Sequence, residues 1–138
     1  MAEIGHLHHI GYLVKNMDHS LKAFQALGYS LCSEVVFDDL RQSDIAFLSN
    51  GGVFCNIELV APHKESDIYP LLKIYKNSPY HLCYEVDGID EVIKLLKKMG
   101  FMMFKKVEPA MAIGPNAKVA FMMNTSIGMI EIVQQGER

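Results

Sequence analysis

The sequence predicts an α+β fold made of two βαβββ modules that form one curved mixed sheet with a concave side. An internal repeat is the first reason: the segment that starts at His9 returns 72 residues later, starting at His81. The second is that each copy combines short apolar strand-like runs with one helix-like segment. Each copy also ends in a similar strand, NIELV at 56–60 and MIEIV at 129–133.

The repeat sets the expected domain organisation. One βαβββ module cannot bury both sides of its sheet, so both copies are expected to share one domain over 1–138. Module one is predicted at 6–61, a linker at 62–79 and module two at 80–134. Identical residues occupy these matched positions: His9 and His81, Tyr12 and Tyr84, Val14 and Val86, Asp18 and Asp90, Lys22 and Lys94, Gly28 and Gly100.

Module one begins with a strand predicted at 8–14. Asn16 then opens a helix with apolar residues at helical spacing, and Gly28 closes it because glycine readily takes the left-handed conformation after a helix. Asn50-Gly51-Gly52 is a hairpin turn signal. The remaining predicted elements are strands at 29–36, 44–48 and 53–60 and a polar turn at 38–42.

Module two repeats this order. A strand is predicted at 81–86, and a helix follows Asp87-Gly88 with its apolar residues on one face before it ends at Gly100. The LLKIY stretch of the linker is predicted to be a short helix. The remaining predicted elements are strands at 101–107, 118–123 and 128–133 and a loop at 114–116.

Composition narrows the class of partner. The formal net charge is -3 with mixed signs, and there is no basic stripe of the kind that binds nucleic acid. No apolar run approaches the roughly 20 residues that cross a bilayer, and the N-terminus lacks the features of a signal peptide. We expect a cytoplasmic protein that acts on a small molecule, with neither nucleic acid nor membrane as partner.

The three cysteines are Cys32, Cys55 and Cys83. They show no CxxC spacing, and each lies inside an apolar strand-like run. Free cysteines in such runs are usually small buried hydrophobic residues. We therefore expect three buried thiols in a reducing compartment.

Side chains alternate between the two faces of a strand, so residues an even number of positions apart share a face; we call this their parity. Parity shows on which face the histidines and glutamates of these strands lie. His9 lies opposite the apolar set of the first strand, and Glu58 lies opposite the apolar set of its own strand. His81 and Glu131 repeat this placement in module two. All four are therefore expected opposite the aliphatic face that packs under the helices.

These four residues suggest a divalent metal site. A buried carboxylate is costly unless it is paired or coordinated, and imidazole with carboxylate suits Zn, Ni, Co or Mn. Four protein ligands would leave open positions for substrate or water. The alternative is that the histidines are surface or hydrogen-bonded core residues and that the glutamates face solvent. The matched placement of all four favours the metal.

At these residues the sequence resembles the vicinal oxygen chelate superfamily, which includes glyoxalase I, methylmalonyl-CoA epimerase, thiol transferases, extradiol dioxygenases and bleomycin-resistance binding proteins. The family places a histidine in the first strand of each module, a carboxylate or amide in the last strand of module one and a glutamate in the last strand of module two. His9, Glu58, His81 and Glu131 match this pattern. The resemblance implies one divalent metal ion per site, bound by these four residues.

Within the superfamily, the IELVAP and PYHLCYEV segments are more similar to methylmalonyl-CoA epimerases than to glyoxalase I. The resemblance implies proton abstraction next to a metal-bound carbonyl, with Glu131 as principal base and an enediolate intermediate. Glu58 or an aspartate near 38–44 would be the second proton-transfer group. The substrate would be a thioester or a hemithioacetal.

Two alternatives stay open. One is glyoxalase I (lactoylglutathione lyase), which acts on the glutathione–methylglyoxal hemithioacetal with the two metal-bound glutamates as the proton-transfer pair. The other is a metal-free ligand-binding or resistance protein. Because two such modules leave exposed sheet edges, a homodimer is also expected.

Overall fold

Two units make up the chain. The computed structural model describes residues 5–52 and 54–136. The N-terminal unit is His9–Tyr80, and the described part of the C-terminal unit consists of residues 5–8 and 81–136. The division falls inside two strands, directly before His9 and directly before His81.

The elements of the N-terminal unit are β1 His6–Leu13, α1 Met17–Ala26, β2 Ser30–Leu31, β3 Val36–Asp38, β4 Ser43–Ser49, β5 Ile57–Pro62 and α2 Leu72–Tyr75. A 3-10 turn at Tyr69–Leu71 precedes α2. The strands form a mixed sheet in the order β2-β4-β5-β1, with β3 also paired to β4. β1 is parallel to β5, and β5 is antiparallel to β4.

The elements of the C-terminal unit are β6 Ser78–Glu85, α3 Ile89–Lys98, β7 Met102–Met103, β8 Glu108–Pro109, β9 Lys118–Asn124 and β10 Gly128–Gln134. The strand order is β6-β10-β9-β7, with β8 also paired to β9. β6 is parallel to β10, and β10 is antiparallel to β9. This order matches that of the N-terminal unit strand for strand, so the predicted α+β class and its two repeated modules are confirmed.

Each unit has one long helix that covers the aliphatic face of its sheet. In the N-terminal unit, the Asn16 side chain accepts a hydrogen bond from the His19 backbone N–H at 2.9 Å and so caps α1. Gly28 follows the helix with φ of 93°, a left-handed conformation that favours glycine. The helix packs on a core from α1, β1, β4 and β5 that includes Val14, Met17, Ala46, Leu48, Ile57 and Leu59.

The C-terminal unit is built in the same way. Helix α3 buries its apolar side against β6, β9 and β10, and Gly100 ends it with φ of 96°. The acidic residues Asp90 and Glu91 lie in the first turn and Lys97 and Lys98 in the last, an arrangement that favours the helix dipole. The core of this unit includes Val86, Ile89, Val92, Leu96, Ala120, Met122, Ile130 and Ile132.

Three predicted strands are shorter than expected. The strand predicted at 29–36 is split into β2 and β3, which both pair with β4 and are separated by a bend at Cys32-Ser33. The strand predicted at 53–60 begins only at Ile57, and Val53 lies outside the described residues. The strand predicted at 101–107 is reduced to the two residues of β7.

The prediction of three buried thiols is wrong for two of the cysteines. Cys32 and Cys55 form a disulfide, with Cα atoms 6.2 Å apart. Cys32 follows the end of β2 and Cys55 precedes β5, so both lie outside the strands, where Cys32 is exposed and Cys55 half-buried. Cys83 is a buried thiol, as expected.

No helix within 5–52 and 54–136 combines the length and the apolar character that a membrane crossing requires.

Candidate metal centre

The sheet of each unit has two chemically different faces. One is the aliphatic face under the helix, and the other carries the histidine and glutamate of that unit; we call the second the histidine face. In the N-terminal unit, the register partners Phe47 and Glu58 lie on the histidine face. The predicted division of residues by parity is therefore confirmed within each unit.

The N-terminal unit brings His9 and Glu58 together. β1 and β5 are parallel neighbours in which Gly11 is the register partner of Glu58, so His9 lies two residues before that partner on the same face. The His9 Nε2 atom is 3.3 Å from Glu58 Oε1. Both residues are buried, with exposed fractions of 0% and 7%.

The C-terminal unit repeats this geometry. Cys83 is the register partner of Glu131 in the parallel pair β6 and β10, and His81 again lies two residues before that partner. The His81 Nε2 atom is 3.1 Å from Glu131 Oε1, and both residues are buried. The two histidine–glutamate pairs thus arise from the same strand register.

A phenylalanine contacts each histidine edge-on, a feature that our reasoning from the sequence missed. The rings of His9 and Phe47 are 5.4 Å apart at 84°, and those of His81 and Phe121 are 5.3 Å apart at 87°. Each phenylalanine is the register partner of the glutamate in its own pair. The signal in the sequence was a repeated Ala-Phe dipeptide, at 46–47 and 120–121.

Each pair has the separation expected of two neighbouring ligands of one metal ion. Nitrogen and oxygen ligands lie about 2.1 Å from Zn²⁺ and similar ions, which puts neighbouring donor atoms about 3.0 to 3.4 Å apart. The observed 3.3 Å and 3.1 Å match this spacing. Burial contradicts the alternative of surface histidines and solvent-facing glutamates. The donor chemistry and the local geometry of both pairs fit a divalent metal.

The three aspartates near 38–44 do not join the His9–Glu58 pair. Asp38 lies on the histidine face of β3, but Arg41 holds its carboxylate through an Nη1–Oδ2 contact of 2.8 Å. The Asp39 carboxylate accepts a hydrogen bond from the Gln42 side chain. Asp44 belongs to the other parity class of β4 and contacts His63 Nε2 at 3.1 Å.

Solved structures of the same fold are numerous. A hypothetical protein from Bacillus halodurans C-125 is 26% identical with a TM-score of 0.81, covering 96% of this chain and 95% of that one. Methylmalonyl-CoA epimerase from Mycobacterium tuberculosis is 21% identical with a TM-score of 0.81, covering 99% and 94%. A Streptomyces coelicolor methylmalonyl-CoA epimerase variant in complex with 2-nitronate-propionyl-CoA is 15% identical with a TM-score of 0.80, covering 98% and 100%. No curated protein sequence matches the chain.

The family itself is shown by a sequence match. The family model described as the Glyoxalase/Bleomycin resistance protein/Dioxygenase superfamily matches residues 8–121, which is well over half of the chain. The match includes His9, Glu58 and His81 and ends before Glu131. The chain therefore belongs to this superfamily, the vicinal oxygen chelate proteins.

Proposed function

We propose that the protein is a metal-dependent isomerase of the methylmalonyl-CoA epimerase type, acting on an acyl-CoA thioester. The observation that carries this proposal is the pair of buried histidine–glutamate contacts at 3.3 Å and 3.1 Å, one in each unit. A carboxylate buried beside an imidazole needs a positive charge, which either a proton on the ring or a divalent cation can supply. Imidazole and carboxylate are both common ligands of divalent transition metals, which favours the cation.

His9, Glu58, His81 and Glu131 would together hold one divalent ion, either Zn, Ni, Co or Mn. Two protein ligands from one unit are fewer than the three or four that zinc and similar ions take from enzymes, which supports a shared ion. Membership of the superfamily supports the same ligand set. When bound, the ion would polarise the substrate carbonyl and lower the cost of negative charge on its oxygen.

Glu131 would act as the principal base and Glu58 as its partner. A carboxylate oxygen of Glu131 takes the proton from the carbon next to the carbonyl, and the electron pair of that C–H bond moves into an enolate. Glu58, which is protonated before the reaction, then gives its proton to the opposite face of the same carbon, which inverts that carbon and leaves Glu131 protonated. Phe47 and Phe121 would hold the imidazole rings and restrict water at the two pairs.

The solved structures support a CoA thioester as the substrate class. Several structures with TM-scores of 0.80 or 0.81 are methylmalonyl-CoA epimerases, and one of them is a complex with methylmalonyl-CoA. Their identities of 13% to 21% show the common fold, and the histidine–glutamate pairs of this chain supply the chemical argument.

A glyoxalase I activity is the second candidate, and one observation favours it. Glu58 and Glu131 occupy equivalent register positions, so the two carboxylates are structurally interchangeable as donor and acceptor of a proton. Asp38 is held by Arg41 instead of facing the His9–Glu58 pair, which weakens the case for an additional epimerase carboxylate. In this reaction the proton returns to the neighbouring carbon.

The test is isotope exchange. Metal-loaded protein is incubated with methylmalonyl-CoA in deuterated water, and NMR follows loss of the proton at the α carbon. Exchange without turnover of the glutathione–methylglyoxal hemithioacetal establishes the epimerase, and the reverse pattern establishes the glyoxalase. Neither reaction with protein of full metal content would reject both activities.

Metal content separates these enzymes from a metal-free binding protein. After gentle purification, the isomerase should hold about one transition-metal ion per site, measured by inductively coupled plasma mass spectrometry. Protein that contains no metal and takes none up would instead belong with the metal-free ligand-binding or resistance proteins of the superfamily.

We also propose a cytoplasmic homodimer whose chain forms a single domain over 1–138. The dimer is supported by the position of β2 and β7 as outer strands, because sheet edges are often covered by pairing with another chain. Light scattering after size-exclusion chromatography tests the dimer. The Cys32–Cys55 disulfide favours an oxidising compartment instead, so alkylation of lysates decides between the two. Labelled Cys32 and Cys55 thiols would support the cytoplasm, and protected cysteines would contradict it.

A further inference from the structure

Three methionines form a row across the strands of the C-terminal unit. Met123 in β9 is the register partner of both Met129 in β10 and Met102 in β7. Met129 lies two residues before Glu131 in the same strand, so it shares the histidine face with that glutamate. Register partners share a face, so the other two methionines lie there as well. We call Met102, Met123 and Met129 the methionine row.

The methionine row begins beside the metal candidates of this unit. Leu82 and Ile130 are register partners in the parallel pair β6 and β10. The residues directly before them, His81 and Met129, are therefore neighbours on the histidine face. Two residues of strand correspond to about 7 Å, which is the distance along the face from the row to the level of Glu131. A small group that extends from the level of Glu131 along the face would reach the row.

The equivalent positions of the N-terminal unit are polar. They are found by counting from the repeated phenylalanine and glutamate: two residues after Phe47, and two residues before Glu58. Together with the β2 register partner of the first, they are Ser49, Asn56 and Ser30. The two units thus share the histidine–glutamate pair but differ in polarity directly beside it. Any role of the methionine row is therefore specific to the C-terminal unit.

The methionine row is accessible, whereas the opposite end of the same face is closed. Met102 is 62% exposed, and the other two members of the row are half-buried. Beyond the glutamate, Val119 and Val133 are only 1% and 0% exposed, because they pack with Ala110 and Ala117 of the loop between β8 and β9. Within this unit, the methionine row is the open side of the face.

The residue type indicates contact with an apolar group of variable shape. Methionine is unbranched and has three rotatable bonds, so its thioether adapts to different partners and is common on surfaces that accept several ligands. The core of the unit does not account for the row. Met103 and Met122, the direct neighbours of Met102 and Met123, have the other parity and pack into the core under α3.

We propose that the methionine row binds the apolar part of the acyl group in the substrate thioester and allows the protein to accept acyl groups of different length. The inference rests on the proposed function, since it takes the reacting carbon to lie at Glu131. The apolar substituent of that carbon would extend along the histidine face onto the row. The three methionines would determine specificity without taking part in proton transfer.

The test measures binding of acetyl-, propionyl-, butyryl- and hexanoyl-CoA by isothermal titration calorimetry in the presence of added divalent metal, so that it needs no turnover. Wild-type affinity should rise by up to about fourfold for each added CH2 group, the value for removing one methylene from water. Met123→Ser should reduce this increment to less than about 1.5-fold and change the affinity for acetyl-CoA less than about twofold, because acetyl-CoA does not reach the row.

Three further variants separate acyl binding from a structural role. Met102→Ser should also lower the increment, and serine is compatible with this position because Ser30 occupies the equivalent one. Met123→Leu keeps an apolar surface and should retain most of the increment. Met99→Ser removes a methionine that is 57% exposed at the end of α3, on the other side of the sheet, and should leave the increment unchanged.

The proposal is overturned if wild-type affinity does not rise with chain length, or if Met123→Ser and Met102→Ser keep the wild-type increment. It is also overturned if Met99→Ser lowers the increment as much as they do. Failure of the proposed function would appear differently, as wild-type protein whose affinity rises with chain length through the methionine row but which neither holds metal nor exchanges the α proton.

Discussion

The N-terminal and C-terminal units hold their histidine–glutamate pairs alike but differ at the outer strands of their sheets. The pairs share strand register, a nearby phenylalanine and a separation just above 3 Å. Beyond β4, the N-terminal unit carries the Asp38–Arg41 pair and the Cys32–Cys55 disulfide. Beyond β9, the C-terminal unit has the two-residue strands β7 and β8. The difference teaches that the repeat preserves the strand register that pairs histidine with glutamate, whereas the contacts outside that register differ between the two units.

Complete loss of the metal is the largest expected effect. His9→Ala and His81→Ala should each lower metal affinity by more than about 100-fold, the upper range for losing a residue that only supports a ligand. Because one ion is proposed to be shared, either variant alone should remove all the metal. Titration against a chromogenic chelator measures this. Half of the metal remaining in each variant would mean that the two pairs bind separate ions.

We expect Glu131 and Glu58 to contribute unequally to proton transfer. Glu131→Gln should lower the rate of α-proton exchange by about 10³-fold, within the range for loss of a general base. Glu58→Gln should reduce it less, because Glu58 is the partner of the principal base. Exchange is followed by NMR at matched metal occupancy. Equal losses in both variants would show that the two carboxylates have equivalent roles.

The disulfide should stabilise only the N-terminal unit. Cys55→Ser should lower the free energy of unfolding by about 3 kcal/mol in oxidised protein, since a cross-link between residues this far apart restricts the unfolded chain. Under dithiothreitol the variant and the wild type should differ far less. Urea denaturation measures both conditions. Cys32→Ser should match Cys55→Ser, and a difference that persists in full under reductant would contradict the cross-link.

The smallest expected effect concerns the phenylalanines. Phe47→Leu and Phe121→Leu should each lower the free energy of unfolding by about 1 kcal/mol, the contribution of an edge-on ring contact. Similar values are expected because the two contacts have nearly the same distance and angle. Chemical denaturation of the metal-free protein measures them. A loss confined to one variant would show that only one of the contacts contributes to stability.

Much of the fold could be predicted because the repeat and the alternation of side chains are local signals. Helix α1 illustrates this: Asn16 and Gly28 mark its ends in the sequence and also in the structure. Parity likewise placed all four metal candidates on the correct faces. The contacts His9–Glu58 and His81–Glu131 then follow from parallel strand register, which the repeat implies but does not specify.

The failures share one physical cause, which is irregular backbone. Cys32 and Cys55 lie in apolar runs that look like strands. In the structure, however, β2 ends before Cys32 and β5 begins after Cys55, and the two cysteines meet in the irregular segments outside these strands. The Asp38–Arg41 contact depends on a tight turn with a left-handed Gln42, for which the sequence contains no glycine signal. Such contacts depend on tertiary pairing to β4, which propensity cannot show.

The parallel strand pairing within each unit has a consequence for metal uptake. His9 and Glu58 are roughly fifty residues apart in sequence, as are His81 and Glu131, yet each pair is closed by the β1–β5 or β6–β10 pairing of its own unit. The entropy lost when these two chain segments come together is therefore lost on folding of the unit, before any ion binds. The ion would bind to two histidine–glutamate pairs that are already formed. Its binding would therefore require less ordering of the chain than in a protein that folds only around its metal.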